Sequence, residues 1–197
     1  NNLKNGEDNV VIGDFHNFDG GKHNVVLGSM AAEEQDVTKS FTNIFDSSTS
    51  TYTVKELVAT RRNTANVENA VMLGYNTDVT RNGGVALGSE SIASVDKGIA
   101  GYDPITKAAS TDSSPTWKST AAAISVGDST GTTVLTRQIT NVAAGTRDDD
   151  AVNVAQLKRV REDATYTGGV GTTVTDDHAV NVNVGEGLHV EDNALVA

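Results

Sequence analysis

The sequence predicts an all-β solenoid, a stack of short parallel strands, that gives way to a short helix. Three observations carry this expectation. One phrase, a Val or Ile, then a small or apolar residue, then Ile, Leu or Val, then Gly, occurs five times: NVVIGD (9–14), NVVLGS (24–29), AVMLGY (70–75), GVALGS (84–89) and AISVGD (123–128). Its glycines stand fifteen residues apart at Gly13 and Gly28 and fourteen at Gly74 and Gly88, with gaps of 46 and 39 residues between the rest. Only 37% of the 197 residues are hydrophobic and 5% aromatic, against 19 glycines. That is poor in Leu and Phe for an enzyme core, yet too patterned for a disordered tract.

Each phrase is rich in β-branched residues and too short for a helix, so it reads as a strand. Alternation puts Val10 and Ile12, Val25 and Leu27, Val71 and Leu73, Val85 and Leu87, and Ile124 and Val126 on one face. Val11, Val26, Met72, Ala86 and Ser125 take the other. Both faces are thus mostly apolar or small, as in strands covered on both sides. A repeat of this length holds two short strands and two turns, with the Gly as one corner and Asp19-Gly20 and Asn82-Gly83 supplying turn chemistry in the other half. Ordering ~14 residues costs roughly 1 kcal/mol or more each. Two or three buried aliphatic side chains return only about 1.5–3 kcal/mol apiece. The repeats must therefore stack, and the second face needs a cover.

Two insertions interrupt the pattern. Residues 30–69 carry Phe41, Phe45 and Tyr52 together with Arg61 and Arg62 in an otherwise acidic chain. Aromatics and arginines on a projecting loop are the residue types that anchor protein interfaces; the competing reading is that Phe41, Ile44 and Phe45 dock the loop on the stack. Residues 90–122 hold Tyr102, Pro104, Pro115 and Trp117, and Trp117 reads as packing. A helix follows, with Asp150 as its N-cap and Asp148 to Asp150 at its positive end. Its length, to Ala164, is near the ~12–15 residues at which an isolated helix is marginal. Leu157, Val160 and Ala164 form an apolar seam at coiled-coil spacing, with Asn153 or Val154 one step earlier, so partner helices are required.

Reactive chemistry is sparse. The net charge of −11 repels phosphate backbones and anionic head groups and argues against nucleic acid. The absence of cysteine excludes disulfides, thiolate metal sites and cysteine nucleophiles. His16, His23, His178 and His189 have no metal-ligand spacing, and His16 and His23 read as solvated turn residues. Asp148 to Asp150 lacks the spacing of a calcium loop, and neither a phosphate-binding glycine loop nor a Gly-x-Ser-x-Gly elbow occurs. These patterns predict no enzyme, no cofactor and no metal. With neither a signal peptide nor a long apolar run, a secreted protein of this sequence would be an internal part of something longer.

The phrases at their fourteen-residue spacing resemble the YadA-like head repeats of trimeric autotransporter adhesins. DDAVNVAQLKRV (149–160) is very close to that family's neck motif, with Asp150 through Lys158 falling as the motif has them, and TRQITNVAAGT (136–146) resembles the lead into the neck. AGYDPITKA and TWKST resemble the segment that closes the base of the head, and VGEGLHVEDNALVA the β-rich modules that often follow a neck. The resemblance covers roughly residues 9–29 and 70–164. It implies a left-handed parallel β-roll, three copies side by side about one axis, with a head over 1–130, a neck over 131–164, and the start of a stalk or a β-rich module over 165–197. Val11, Val26, Met72 and Ala86 would face the trimer axis while the Val/Leu set fills each roll, or the reverse. Val154, Leu157 and Val160 would pack the neck, where an inward Asn153 could hold an anion. The function implied is that of a bacterial surface adhesin, a homotrimer held in the outer membrane by a C-terminal β-barrel outside this chain. It would attach to a host receptor, an extracellular matrix protein or other bacteria, with the 30–69 insertion (Phe41, Phe45, Tyr52, Arg61, Arg62) as the recognition element. A structural spacer or self-association module is the alternative.

Overall fold

The computed structural model describes residues 1–164, 167–169, 171–175, 179–183, 185, 189–191 and 194–196. The chain divides into two units, Asn1–Ile139 and Thr140–Ala197. The strands of the first are β1 (Asn2–Lys4), β2 (Val10–Ile12), β3 (Asn17–Asp19), β4 (Val25–Leu27), β5 (Ala32–Thr42), β6 (Thr49–Ala59), β7 (Val71–Leu73), β8 (Asp78–Val79), β9 (Val85–Leu87), β10 (Ile92–Ala93), β11 (Tyr102–Asp103), β12 (Ala108–Ala109) and β13 (Ile124–Ser125).

All five phrases form strands of one sheet, ordered β13-β9-β7-β4-β2, with every neighbouring pair parallel. The register is unbroken. Val10, Val25, Val71, Val85 and Ile124 make one row; Val11, Val26, Met72, Ala86 and Ser125 the next; Ile12, Leu27, Leu73 and Leu87 the third. The long gaps in sequence leave no trace in this register because the inserted residues leave and re-enter the stack at its corners. Two shorter parallel pairs, β1 with β3 and β8 with β10, lie in the other half of the repeats. Single bridges continue the stacking from Glu7 to Lys22 to Glu68.

Corners that repeat must repeat their backbone geometry. Gly13, Gly28, Gly74 and Gly88, which close the first four phrases, all have positive φ. The stack leaves no room for a side chain there: a Cβ on Gly28 would lie 2.1 Å from the Gly74 carbonyl oxygen. At a second corner Asp8, His23, Asn69 and Gly83 hold the same left-handed conformation, one that Asn and Asp tolerate better than most residues.

The middle row is the interior one. Val26, Met72 and Ala86 are buried and join Phe18, Val67, Ala70, Val79 and Ala93 in the core, with Val11 packed against it. So thin a core needs polar stitching. Asn9 donates to the Gly21 carbonyl at 3.0 Å and accepts from the Asn24 N–H at 3.0 Å; Asn24 in turn donates to the Val67 carbonyl at 2.8 Å and accepts from the Ala70 N–H at 2.9 Å. Arg137 closes the end of the unit, its guanidinium donating to the carbonyls of Ser89 (2.6 Å) and Val126 (2.5 Å) and to the Ser91 hydroxyl (3.1 Å).

His16 is not the solvated residue its turn position predicts. It is buried, stacked on Phe18 at 6.0 Å between ring centroids, with Nε2 2.6 Å from the Gly28 carbonyl oxygen. The turn folds the ring beneath the next corner, where that carbonyl needs a partner. His23 is exposed, 3.8 Å from Asp8.

Among its described residues the second unit contains α1 (Val154–Asp163) and the short strands β14 (Thr172–Val174), β15 (Val180–Val182), β16 (His189–Glu191) and β17 (Ala194–Val196). β14 pairs with β15 and β16 with β17, both antiparallel. Tyr166 and His178 lie outside the described residues. The helix begins after Asn153, not Asp150. Asn153 Oδ1 accepts from the Gln156 N–H at 3.0 Å while Gln156 Oε1 accepts from the Asn153 N–H at 3.2 Å, a reciprocal capping box. The Asp150 carboxylate instead closes the preceding turn, accepting from the N–H groups of Thr146 (2.9 Å) and Arg147 (3.0 Å). Those backbone hydrogen bonds hold its carboxyl below the usual carboxylate range. Asn153 also donates to the Val142 carbonyl at 3.2 Å, so its amide is bonded within the protomer at both ends.

Candidate functional site

The 30–69 insertion is a long β-hairpin, not a loop laid on the stack. β5 and β6 pair antiparallel over eleven positions, from Ala32↔Ala59 to Thr42↔Thr49. Cross-strand partners share a face, so the ribbon has two unlike sides. One carries Val37 beside Val54, Lys39 beside Tyr52 and Phe41 beside Ser50. The other carries Thr38 beside Thr53, Ser40 beside Thr51 and Asp36 beside Lys55. Thr, Val and Tyr favour this extended state. Two ion pairs brace it, Lys55 to Asp36 at 3.0 Å and Lys39 to Glu56.

The tip is fixed by its own polar side chains. Asn43 Oδ1 accepts from the Phe45 N–H at 2.9 Å, and Asp46 Oδ1 from the N–H (2.9 Å) and hydroxyl (2.7 Å) of Ser48. These bonds from Ser48, the hydroxyl first, keep the Asp46 carboxyl below its ordinary range. With the backbone held in this way, the apolar tip side chains point to solvent. Phe45 is 92% exposed, Ile44 88% and Phe41 57%, and Tyr52 is also exposed. The expected alternative, docking of Phe41, Ile44 and Phe45 on the stack, does not occur.

The two arginines differ. Arg61 is part of the hairpin's footing: its guanidinium donates to Asn76 Oδ1 at 3.2 Å and to the Asn76 carbonyl, while Thr60 N–H donates to the Ala31 carbonyl at 2.8 Å. Arg62 is exposed and, with Phe15, His16, Asn17 and Leu57, lines an open cavity of about 530 Å³ at the hairpin's base.

Two further apolar surfaces stand uncovered. In the first unit the outer rows of the five-stranded sheet face away from the core: Val10, Ile12, Val25, Leu27 and Ile124 are exposed, and Val71, Leu73, Val85 and Leu87 are half-buried. Val11, Val26, Met72 and Ala86 lie inside the protomer, which decides between the two faces that alternation left open. In the second unit α1 buries none of its residues. Val154, Leu157 and Val160 form an exposed stripe beside Ala164. Among the described residues no group of His, Asp or Glu is placed to hold a metal ion, and no helix is long and apolar enough to cross a membrane.

Two features lay outside the sequence reading. The hairpin was hidden because polar residues interrupt its more apolar face at Gln35, Lys39, Ser50 and Glu56 while Leu57 stands on the other, so no sustained apolar alternation marks its strands. The Arg137 clamp bridges 46 to 48 residues to Ser91 and Ser89, a separation that no local pattern reveals.

Residues 138–180 match the family model for the coiled stalk of trimeric autotransporter adhesins. The chain is 48% identical over 110 residues to autotransporter adhesin BadA of Bartonella henselae, a match covering 56% of this chain and 4% of that protein. It is 36% identical over 125 residues to trimeric autotransporter adhesin AtaA of Acinetobacter sp. (strain Tol 5), covering 53% of this chain and 3% of that one. The matched chain thus spans a few per cent of the length of either relative. No solved structure matches it. Over the matched residues the chain is homologous to both of these trimeric autotransporter adhesins. Trimeric autotransporter adhesins are surface proteins anchored in the outer membrane.

Proposed function

We propose that this segment is a head and neck, residues 1–130 and 131–164, which presents the β5–β6 hairpin three times at the bacterial surface to attach the cell to a host receptor, a matrix protein or another bacterium. The repeats form a left-handed parallel β-roll, three copies of which bury their outer aliphatic rows against one another, and α1 packs with its two symmetry mates through Val154, Leu157 and Val160. One observation carries the attachment role: a hairpin tip with Phe41, Ile44 and Phe45 in solvent. Exposed aromatics on a projecting hairpin suit hot-spot recognition, and three copies add avidity where the geometry allows. Phe41, Phe45 and Tyr52 make the contact, Arg62 borders it, and Arg61 holds the hairpin in place.

The test deletes residues 32–59 and compares attachment to cells and to a panel of matrix proteins with that of the unaltered chain. Loss of attachment in a variant that keeps its oligomeric mass is expected. Unchanged attachment would transfer the role to another part of the protein and leave this segment a spacer.

A further inference from the structure

We propose that the free edge of β6 takes up an extended, basic peptide segment of a partner protein as a third strand of the hairpin sheet. This inference rests on the hairpin being the attachment element and names the chemistry of what it attaches to.

The hydrogen-bond parity of the hairpin identifies which backbone groups are open. Asn43 N–H donates to the Ser48 carbonyl at one end, and Thr60 N–H to the Ala31 carbonyl at the other. In an antiparallel pair, hydrogen-bonded and non-bonded pairs alternate. The register therefore turns the N–H and C=O of Ser50, Tyr52 and Val54 toward β5, and those of Thr49, Thr51 and Thr53 outward. No described strand pairs with that outer edge.

The two edges are not equally protected. Natural sheets guard their edges with charge or proline. On β5 the outward backbone groups include those of Glu34 and Asp36; on β6 they include that of Lys55 toward the base, but from Ser47 through Val54 no charged residue and no proline occurs. A two-stranded ribbon is also marginal by itself and gains from a third strand. Main-chain pairing of this kind gives affinity, and alternate side chains give selectivity. An added strand would set every second side chain beside Tyr52 and Val54, which favours apolar residues there, and the others beside Thr51 and Thr53.

Charge sets the sign of the partner. The hairpin carries five carboxylates, Glu33, Glu34, Asp36, Asp46 and Glu56, against two lysines, which pair with Glu56 and Asp36, so it is negative by three charges. The chain as a whole is at −11. A second copy would bring the same negative field, while a segment with Lys or Arg is drawn to it.

The probe is a fluorescein-labelled peptide, Lys-Val-Thr-Val-Lys-Val-Thr-Val, with a counterpart carrying Glu for Lys, added to the whole 197-residue chain. The basic peptide should slow hydrogen exchange at the Thr49, Thr51 and Thr53 amides at least about tenfold, a strand bond being worth enough to see at such a site. The acidic peptide should do so less. Proline at an edge position whose N–H faces solvent leaves the hairpin's own bonds in place. The double variant Thr51→Pro/Thr53→Pro should accordingly weaken peptide binding about tenfold or more, and Thr38→Pro on the β5 edge should leave it within about twofold. Thr53→Pro alone serves if the double variant loses the cross-strand contact of Val37 with Val54. Absence of protection, equal binding by both peptides, or binding that survives the edge prolines overturns the proposal. So does protection that rises with protein concentration and no peptide, which would assign the edge to a second copy. If deleting 32–59 abolishes attachment while the edge prolines do not, strand addition is wrong and the hairpin keeps its role. If the deletion itself leaves attachment intact, it is the attachment role that fails.

Discussion

Gly28 and Gly83 both have positive φ, +138° and +76°, but stand in different surroundings. A Cβ on Gly83 meets nothing within 4 Å, while one on Gly28 would lie 2.1 Å from the Gly74 carbonyl oxygen and 2.6 Å from its carbon. Gly83→Ala should therefore show only the left-handed penalty of about 1–2 kcal/mol. Gly28→Ala must in addition push one repeat off the next, because a carbonyl in a packed sheet cannot yield as the end of a flexible side chain can. We expect Gly83→Ala to lower the thermal midpoint by a few degrees and Gly28→Ala to abolish cooperative unfolding of the first unit. Equal effects in a calorimetric scan would mean that the corner relaxes and that φ alone requires glycine. The buried Asn24 makes a related point: two hydrogen bonds to backbone groups of the next repeat do work that a larger core would leave to aliphatic side chains.

At the scale of the element, α1 shows how one residue type is read at the wrong position. Asp150 has the chemistry of an N-cap, and the helix could have begun there. Asn153 with Gln156 three residues later satisfies two orphan N–H groups reciprocally, which a single carboxylate does not. Asp150 still serves the element by closing the turn that delivers the chain to the helix, and its effect depends on pH. Its folded-state pKa is depressed by the Thr146 and Arg147 N–H groups, so its contribution is fully present above the ordinary carboxylate pKa and is lost as pH falls through the lower folded value. The Thr146 and Arg147 amide resonances should hold their downfield positions through the range where free carboxylates protonate and move only below it. Asp150→Asn, which keeps the acceptor, should remove that step. A transition at the ordinary carboxylate pKa would show the turn to be open in solution. The five phrases, their parallel stacking partners and the glycine corners were all legible, because a phrase that occurs five times is a strong signal. Which strand face points inward was not, since Val11 and Val26 are as apolar as Val10 and Val25 and only the closed chain distinguishes them. His16 was misjudged because burial at a corner is decided by the next repeat, not by its own neighbours in sequence.

For the whole molecule, the outer rows of the sheet pose the largest unanswered demand. Nine aliphatic side chains on strands roughly 4.8 Å apart make a continuous strip. Five are exposed and four are half-buried. A strip of this kind on a soluble surface marks an interface. Three copies related by one axis each present the same strip and close without leaving an end free, as a cyclic assembly must. Because the interior row is separate from the outer ones, assembly and folding can be uncoupled by single substitutions. Leu27→Glu places a charge on the strip while Val26 next to it stays in the core. That variant should sediment and scatter as a protomer of 20.5 kDa with its strands retained and its thermal midpoint lowered, whereas the unaltered chain should scatter at three times that mass. Val26→Glu, by contrast, buries an unpaired charge at a cost of several kcal/mol and should unfold the first unit outright. A stable monomer of the unaltered chain at micromolar concentration would show that the outer rows do not hold the trimer, and the cover they need would then have to come from elsewhere in the protein.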